Sequence, residues 1–295
     1  MSTVISCNLM GGLGNQLFQI FSTISYGIDN NRCIVFPHSN LLTTGVHRPT
    51  YWDTLLQDLI CFTHAHDSNH YTYNMLFAFP RYGEPGFHYQ EIPTIKDYAE
   101  VMLHGYFQSY KYFINNENAI FALMRLDKQQ STIRSAYNEH FLSDNTVSMH
   151  FRFGDYMKNQ LSHPLLTFQY YSNAITKLTH AVDTHISILY FCEKEDNIIV
   201  ADIIHKLSLE FVSIKFTKID DTITDWKQMI LMSCCTHNII ANSSFSWWGA
   251  YLNRNVEKIV CYPDKWFGPA LPNHNTDDLF PINWYKVQSK NDVSH

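Results

Sequence analysis

The apolar positions of this chain fall into short β-branched runs separated by longer stretches of helical period. Val4-Ile5-Ser6-Cys7-Asn8 is the first run, followed by a glycine-rich turn and an apolar helix expected from about Asn15 to Ile28. Cys33–Pro37 and 100–107 read as further strands, with a helix at 51–62 and helical patterns over 110–126 and 128–141. Beyond 145 the alternation is cleaner, with strands expected at 146–151, 186–191, 212–217, 237–241 and 257–261. Helices are expected between and after them, at 168–182, 196–207, 224–235 and 244–253. Strands alternating with helices of this length imply βαβ units on parallel sheets, an α/β fold. The polar break Leu142-Ser143-Asp144-Asn145-Thr146 places a boundary between domains 1–144 and 145–295. The stretch 38–98 is irregular and rich in His, Tyr, Asn and Pro, and the polar tail after 286 is expected to be loose.

Composition narrows the function classes. With 295 residues, 45% hydrophobic and 15% aromatic, the chain can bury two ordinary cores. The net charge of −6 and the lack of any Lys/Arg block exclude nucleic acid and anionic membrane as evident partners. An anionic ligand must therefore be held by local donors. No apolar run reaches 18 residues and no basic-then-apolar leader is present, so no membrane span is expected. Seven scattered cysteines without a C-x-x-C pair fit reduced, buried thiols and a cytoplasmic setting. His64-Ala-His66 lacks an acidic or cysteine partner nearby and reads as solvated surface rather than a metal site.

Three blocks carry chemistry. His150-Phe151-Arg152-Phe153-Gly154-Asp155-Tyr156 follows a buried strand, so Arg152 is delivered at the carboxyl end where open α/β sheets bind ligands. A guanidinium there suits a phosphate or carboxylate; a structural alternative is that Arg152 and Asp155 pair and cap the strand. His237–Ala250 runs from a strand into Asn242-Ser243-Ser244-Phe245, where Ser243 or Ser244 caps a helix whose start can bind an anion; the structural alternative is a plain capped helix with two Trp in the core. Met10-Gly11-Gly12-Leu13-Gly14-Asn15-Gln16-Leu17-Phe18-Gln19 matches neither a dinucleotide fingerprint nor a P-loop. Its glycines allow close backbone approach, and Asn15 and Gln16 are expected at a helix start with their amides free to face a cleft; a structural alternative is a glycine turn with Asn15 as N-cap. No Asp-x-Asp is present to clamp a divalent ion.

Together these blocks resemble glycosyltransferase family 11, the GDP-fucose-dependent α-1,2-fucosyltransferases. Residues 11–19, 150–156 and 242–250 match the family's motifs, and Gly105-Tyr106-Phe107-Gln108-Ser109 with Tyr112-Phe113 is similar to a fourth. The resemblance implies a GT-B architecture of two Rossmann-like domains facing across a cleft. It implies an inverting transfer of L-fucose from GDP-β-L-fucose to a glycan acceptor, without metal or other cofactor. By that analogy Arg152 binds the β-phosphate, His150 supports the site and Asp155 orients Arg152 or the nucleotide. Gly12, Gly14, Asn242, Ser243, Ser244 and Phe245 line the nucleotide and phosphates, and Asn15 sits near the bond being exchanged.

The stretch 38–98 would shape the acceptor side. Departures are Phe153 for the family's second Arg, Phe191-Cys192-Glu193-Lys194 for Phe-Ser-Asp-Asp, and Gln228 where Asp is common. His150, Asp155 and Glu193 are candidates for a catalytic base. Another GDP-sugar or linkage on the same scaffold, or a catalytically silent GDP-sugar- or glycan-binding protein, are the alternatives.

Overall fold

The computed structural model describes residues 3–43, 45–142, 145–182 and 185–289. The chain divides into two compact units, Met1–Asp127 with Asn273–Pro281, and Lys128–Pro272 with Ile282–His295. The polar break at 142–146 lies inside the second unit, at the entry to a strand; Ser143 and Asp144 at its centre are outside the described residues. The division falls between Asp127 and Lys128. The reason is the helix Leu126–Phe141, whose Gln130 Nε2 donates to Ser233 Oγ and to the Leu252 carbonyl, both at 2.9 Å.

In the first unit, β1 (Val4–Cys7) leads into α1 (Leu13–Asp29), then β2 (Cys33–Ile34) and a small hairpin of β3 (Leu41–Leu42) and β4 (Arg48–Pro49). A short α2 (Tyr73–Phe77) precedes β5 (Arg81–Gly83) and β6 (Glu100–His104), and α3 (Glu117–Leu123) closes the series. The sheet is parallel throughout, ordered β2-β1-β6-β5. All four residues of β1 are buried, as a strand covered on both faces requires. Fourteen of the seventeen α1 residues are buried, so this helix is enclosed rather than amphipathic. Phe113 and Phe121 pack edge-on against its Phe21, at 5.4 and 5.9 Å between ring centroids. The helix expected at 51–62 is a series of turns ending in a 3₁₀ helix, Gln57–Phe62.

The second unit holds most of α4 (Leu126–Phe141), then β7 (Thr146–His150), α5 (Phe168–Ala181), β8 (Ser187–Phe191), α6 (Asn197–Glu210) and β9 (Lys215–Lys218). It continues through α7 (Asp225–Ser233), β10 (His237–Ile239), α8 (Ser244–Tyr251), β11 (Val260–Pro263) and β12 (Tyr285–Val287). Its six strands are parallel in the order β12-β11-β10-β7-β8-β9, the doubly wound order of a dinucleotide-binding sheet. The chain winds one way from β7 through β8 to β9, then returns to β10 on the other side of β7. The ends of β7 and β10 are thus a topological switch point, where such sheets take ligands. The core beneath is Val147, Met149, Phe151, Tyr170, Ile188 and their neighbours.

Two smaller expectations change. All seven cysteines are free, but Cys33 and Cys61 are exposed rather than buried. His64 is not solvated surface: its Nδ1 accepts the His38 amide at 2.9 Å, whereas His66 is exposed. In the tail, the Ser289 amide donates to Asp264 Oδ1 at 2.9 Å, and 290–295 are outside the described residues. Among the described residues no helix is long and apolar enough to cross a membrane.

Gly249 shows how tightly α8 lies on α7. A Cβ there would fall 2.8 Å from Met232 Cβ and 2.9 Å from its Sδ, and Met232 is buried. Gly249→Ala is therefore expected to lower stability by about 2 kcal/mol through overpacking. Thermal melting checks this; an unchanged midpoint would refute the close contact.

Candidate active site

At the switch point of the second unit, β7 ends in His150 and the chain turns through Arg152 to Tyr156, the last part of the turn a short 3₁₀ helix from Gly154 to Lys158. The turn is anchored from three sides. Tyr171 of α5 donates its hydroxyl to the His150 carbonyl at 3.2 Å. Asp196, buried just before α6, accepts the Phe153 amide at 3.3 Å and the Gly154 amide at 3.1 Å. Tyr156 donates its hydroxyl to the Asn242 carbonyl at 3.1 Å, tying the β7 exit to the β10 exit.

Arg152 is held at its head rather than left loose. Its Nη1 donates to Glu193 Oε1 and its Nη2 to Asp155 Oδ1, and its Cζ lies 5.0 Å from the centre of the Tyr156 ring. The pairing with Asp155 read as a structural alternative is present, and Glu193 completes a bracket that spacing along the chain does not reveal. Burial opposes the guanidinium charge, but Glu193 and Asp155 outweigh it and raise its pKa. Both carboxylates remain largely exposed, at 48% and 60% of their side-chain surface.

His150 is buried, its ring 5.5 Å from that of Phe245. Burial, reinforced by the Arg152 charge, lowers its pKa from 6.5 to about 3, so the ring is neutral near pH 7. A ring so hard to protonate is a poor proton acceptor. Its Nδ1 and Asn242 Oδ1 are both buried without a hydrogen-bond partner among the described residues. Unsatisfied polar atoms of this kind are rare in a folded chain, and here two occur at the exits of adjacent strands.

The β10 exit follows the sequence reading closely. Ser243 is the N-cap of α8, its Oγ accepting the Phe245 amide at 3.3 Å. Asn242 is buried, donating from Nδ2 to Pro164 O at 2.9 Å and Trp266 O at 3.3 Å. Ser244 and Phe245 are half-buried in the first turn of the helix. Phe153 points into the core of the second unit, where it is 3% exposed, so its substitution for Arg leaves the site surface unaltered by that side chain. Gln228, the other departure, donates to the Ile223 carbonyl at 2.7 Å.

Asn15, Gly12 and Gly14 lie in the first unit, at the switch point between β1 and β6. Gly12 is the N-cap of α1, so the helix starts two residues earlier than expected and Asn15 lies in its first turn. Asn15 Oδ1 accepts Gln108 Nε2 at 2.9 Å. Gly11, at φ +75°, makes room for the amide: a Cβ there would lie 2.4 Å from Asn15 Nδ2. The Gln16 amide is not free to face a cleft. It is fully buried, donating to Gly11 O at 3.0 Å and Pro49 O at 2.9 Å. Gln19 bridges the two loops, accepting Met10 N at 2.9 Å and donating to Gly105 O at 3.1 Å.

The residues that sequence reasoning missed are carboxylates acting on backbone. Glu84, after β5, accepts the Tyr106 amide at 2.7 Å and the Phe107 amide at 2.9 Å. Phe107 is held there at φ +51°, a conformation bulky residues rarely adopt. Asp196 does the same for the Arg152 turn. Each unit therefore hangs the loop of one switch-point strand from a carboxylate just past its neighbour strand.

Residues 64–288 match the sequence profile of glycosyl transferase family 11. The chain is 32% identical over 146 residues to the O-antigen biosynthesis glycosyltransferase WbnK of Escherichia coli, a match covering 48% of this chain and 45% of that protein. This chain therefore aligns with less than half of WbnK. It is 24% identical over 309 aligned positions to an alpha-1,2-colitosyltransferase of Escherichia coli, covering 97% of this chain and 99% of that protein. A solved structure of POFUT1 in complex with GDP-fucose shares the fold, with a TM-score of 0.52 at 10% identity over 88% of this chain and 97% of that one. The shared fold is the GT-B type, with two Rossmann-like units, expected from the sequence. A profile match over residues 64–288, most of the chain, makes this chain a member of glycosyltransferase family 11.

Proposed function

We propose that this chain transfers L-fucose from GDP-β-L-fucose to a glycan hydroxyl, with inversion at the sugar carbon, forming an α-1,2 linkage. The observation that carries the reading is Arg152 at the switch point beside the capped start of α8, a placement suited to a diphosphate. The acceptor oxygen bonds to C1 of fucose, the bond from C1 to the β-phosphate oxygen breaks, and GDP leaves with the electron pair. Arg152 stabilises the charge that grows on the leaving phosphate, the role a metal would otherwise fill. Ser243, Ser244, Asn242 and Phe245 hold the nucleotide side, with Gly12 and Gly14 giving close backbone approach in the first unit. Asn15 serves the transferred sugar.

His150 supports the site as a neutral ring. The proton of the acceptor hydroxyl falls to a carboxylate, with Asp155 and Glu193 the ones at hand. The scattered, unpaired thiols support placing the enzyme in the cytoplasm. A second reading, a colitosyl donor, is favoured by the near full-length match to the colitosyltransferase. Colitose is fucose without its 3-hydroxyl, so either sugar asks the same of the phosphate site.

The test is GDP release from GDP-fucose in EDTA, with galactose- and rhamnose-terminated acceptors and NMR of the product. Acceptor-dependent release and an α-1,2 product are expected. Release only after a divalent ion is restored would overturn the metal-free mechanism, and turnover of a colitosyl donor but not of GDP-fucose would favour the second reading. Binding of GDP-fucose without transfer to any acceptor would point to a silent binding protein.

A further inference from the structure

The segment leaving β8, Phe191-Cys192-Glu193-Lys194-Glu195-Asp196, meets the Arg152 turn at two places. Asp196 is 1% exposed and spends both carboxylate oxygens on the amides of Phe153 and Gly154. A buried carboxylate satisfied by backbone donors fixes the path of the backbone it grips. Glu193 is half-exposed and reaches the guanidinium itself. Gly154 permits that approach: a Cβ there would stand 2.5 Å from Glu193 Oε2.

Asp155 engages the other arm of the guanidinium, so one cation is bracketed by two anions and the cluster is net negative. A diphosphate approaching this cluster meets an arginine whose two terminal nitrogens each already donate to a carboxylate. Exposed ion pairs of this kind are weak and are given up readily to a more highly charged, bidentate acceptor.

Resting on the reading of Arg152 as the phosphate ligand, we propose that this segment positions Arg152 through two carboxylates with opposite effects on phosphate binding. Asp196 pegs the turn that carries Arg152. Glu193 stands in for phosphate on the guanidinium and is displaced when the nucleotide arrives. Removing the peg loosens the nucleotide, and removing the stand-in tightens it.

GDP alone is the probe, titrated calorimetrically into the full chain. Glu193→Gln is expected to bind GDP about five-fold tighter, the gain from releasing an exposed pair. Asp196→Asn, in which an amide NH₂ faces a backbone donor, is expected to bind about ten-fold more weakly. Both shifts should shrink below about two-fold when Arg152 is already alanine, because both act through it. A purely structural role for these carboxylates moves both variants the same way and persists without Arg152.

Unchanged or weaker binding by Glu193→Gln overturns the inference, as does a shift that survives in the Arg152→Ala background. Glu193 lies at the surface and its variant keeps the test alive if melting shows that Asp196→Asn does not fold. Failure of the unaltered chain to bind GDP would defeat the nucleotide reading and this inference with it. Binding by the unaltered chain with variants of the wrong sign would defeat this inference alone.

Discussion

Arg152→Ala is expected to cut GDP release from the donor by about a thousand-fold, with the fold intact. The guanidinium supplies donors where strand exits, a helix start and a tyrosine ring converge in the second unit. A leaving diphosphate gains charge in the transition state, and a donor aimed there stabilises it more than it stabilises the bound substrate. Lysine is not expected to rescue: one ammonium cannot make the two parallel bonds that a planar fork makes. Stability should change little, because the carboxylates freed by the substitution are about half-exposed and solvated. Steady-state GDP release and thermal melting check both halves. Turnover within ten-fold of the parent would remove Arg152 from the reaction.

Such a prediction could be made because the sequence signals the relevant strands clearly. Thr146–His150 and His237–Ile239 are buried along their whole length, and Val147, Met149 and the run Ile239-Ile240-Ala241 make them stand out from their surroundings. Edge strands do not. Lys215–Lys218 is partly exposed, and the apolar run before it drew the expected strand to 212–217, although Val212 is 85% exposed. Arg81–Gly83 and Tyr285–Val287 went unread, since three residues at a sheet edge owe their conformation to the strand beside them.

The site divides the same way. Ser243 as a helix cap and Arg152 at a strand end are local statements, so a linear pattern carries them. Gln16 is different: nothing in Gly-Asn-Gln-Leu-Phe-Gln says that this amide turns inward to hold two loops, because its partners are the carbonyls of Gly11 and Pro49. Asp196 and Glu84 are less legible still. Each looks like an ordinary acidic residue beside a polar stretch, and its function lies in backbone amides more than twenty residues away. Side chain to backbone bonds across a sheet leave no periodicity to find.

Acid is expected to destabilise the second unit through His150. The unfolded chain takes a proton on this ring near its ordinary pKa of 6.5, whereas the folded chain resists protonation down to about 3. Stability from the neutral ring is therefore complete above pH 6.5 and is lost as pH falls toward 3. The linkage amounts to about 2 kcal/mol lost by about pH 5 and about 5 kcal/mol in full. Burial also lowers the pKa values of His237 and His64, so the total acid loss is shared. Subtraction isolates the part due to His150: a His150→Asn chain should show a shallower fall in stability between about pH 7 and about pH 5, by about 2 kcal/mol.

Denaturant unfolding followed through tryptophan fluorescence reports on the right unit, since Trp247, Trp248 and Trp284 are buried there. Equal slopes for the two chains would mean that the folded chain protonates His150 as readily as the unfolded chain does, so that acid charges the ring in place. In that event a charged imidazolium beside Arg152 would add a second cation at the phosphate site. The same titration therefore decides whether the leaving diphosphate meets one positive charge or two.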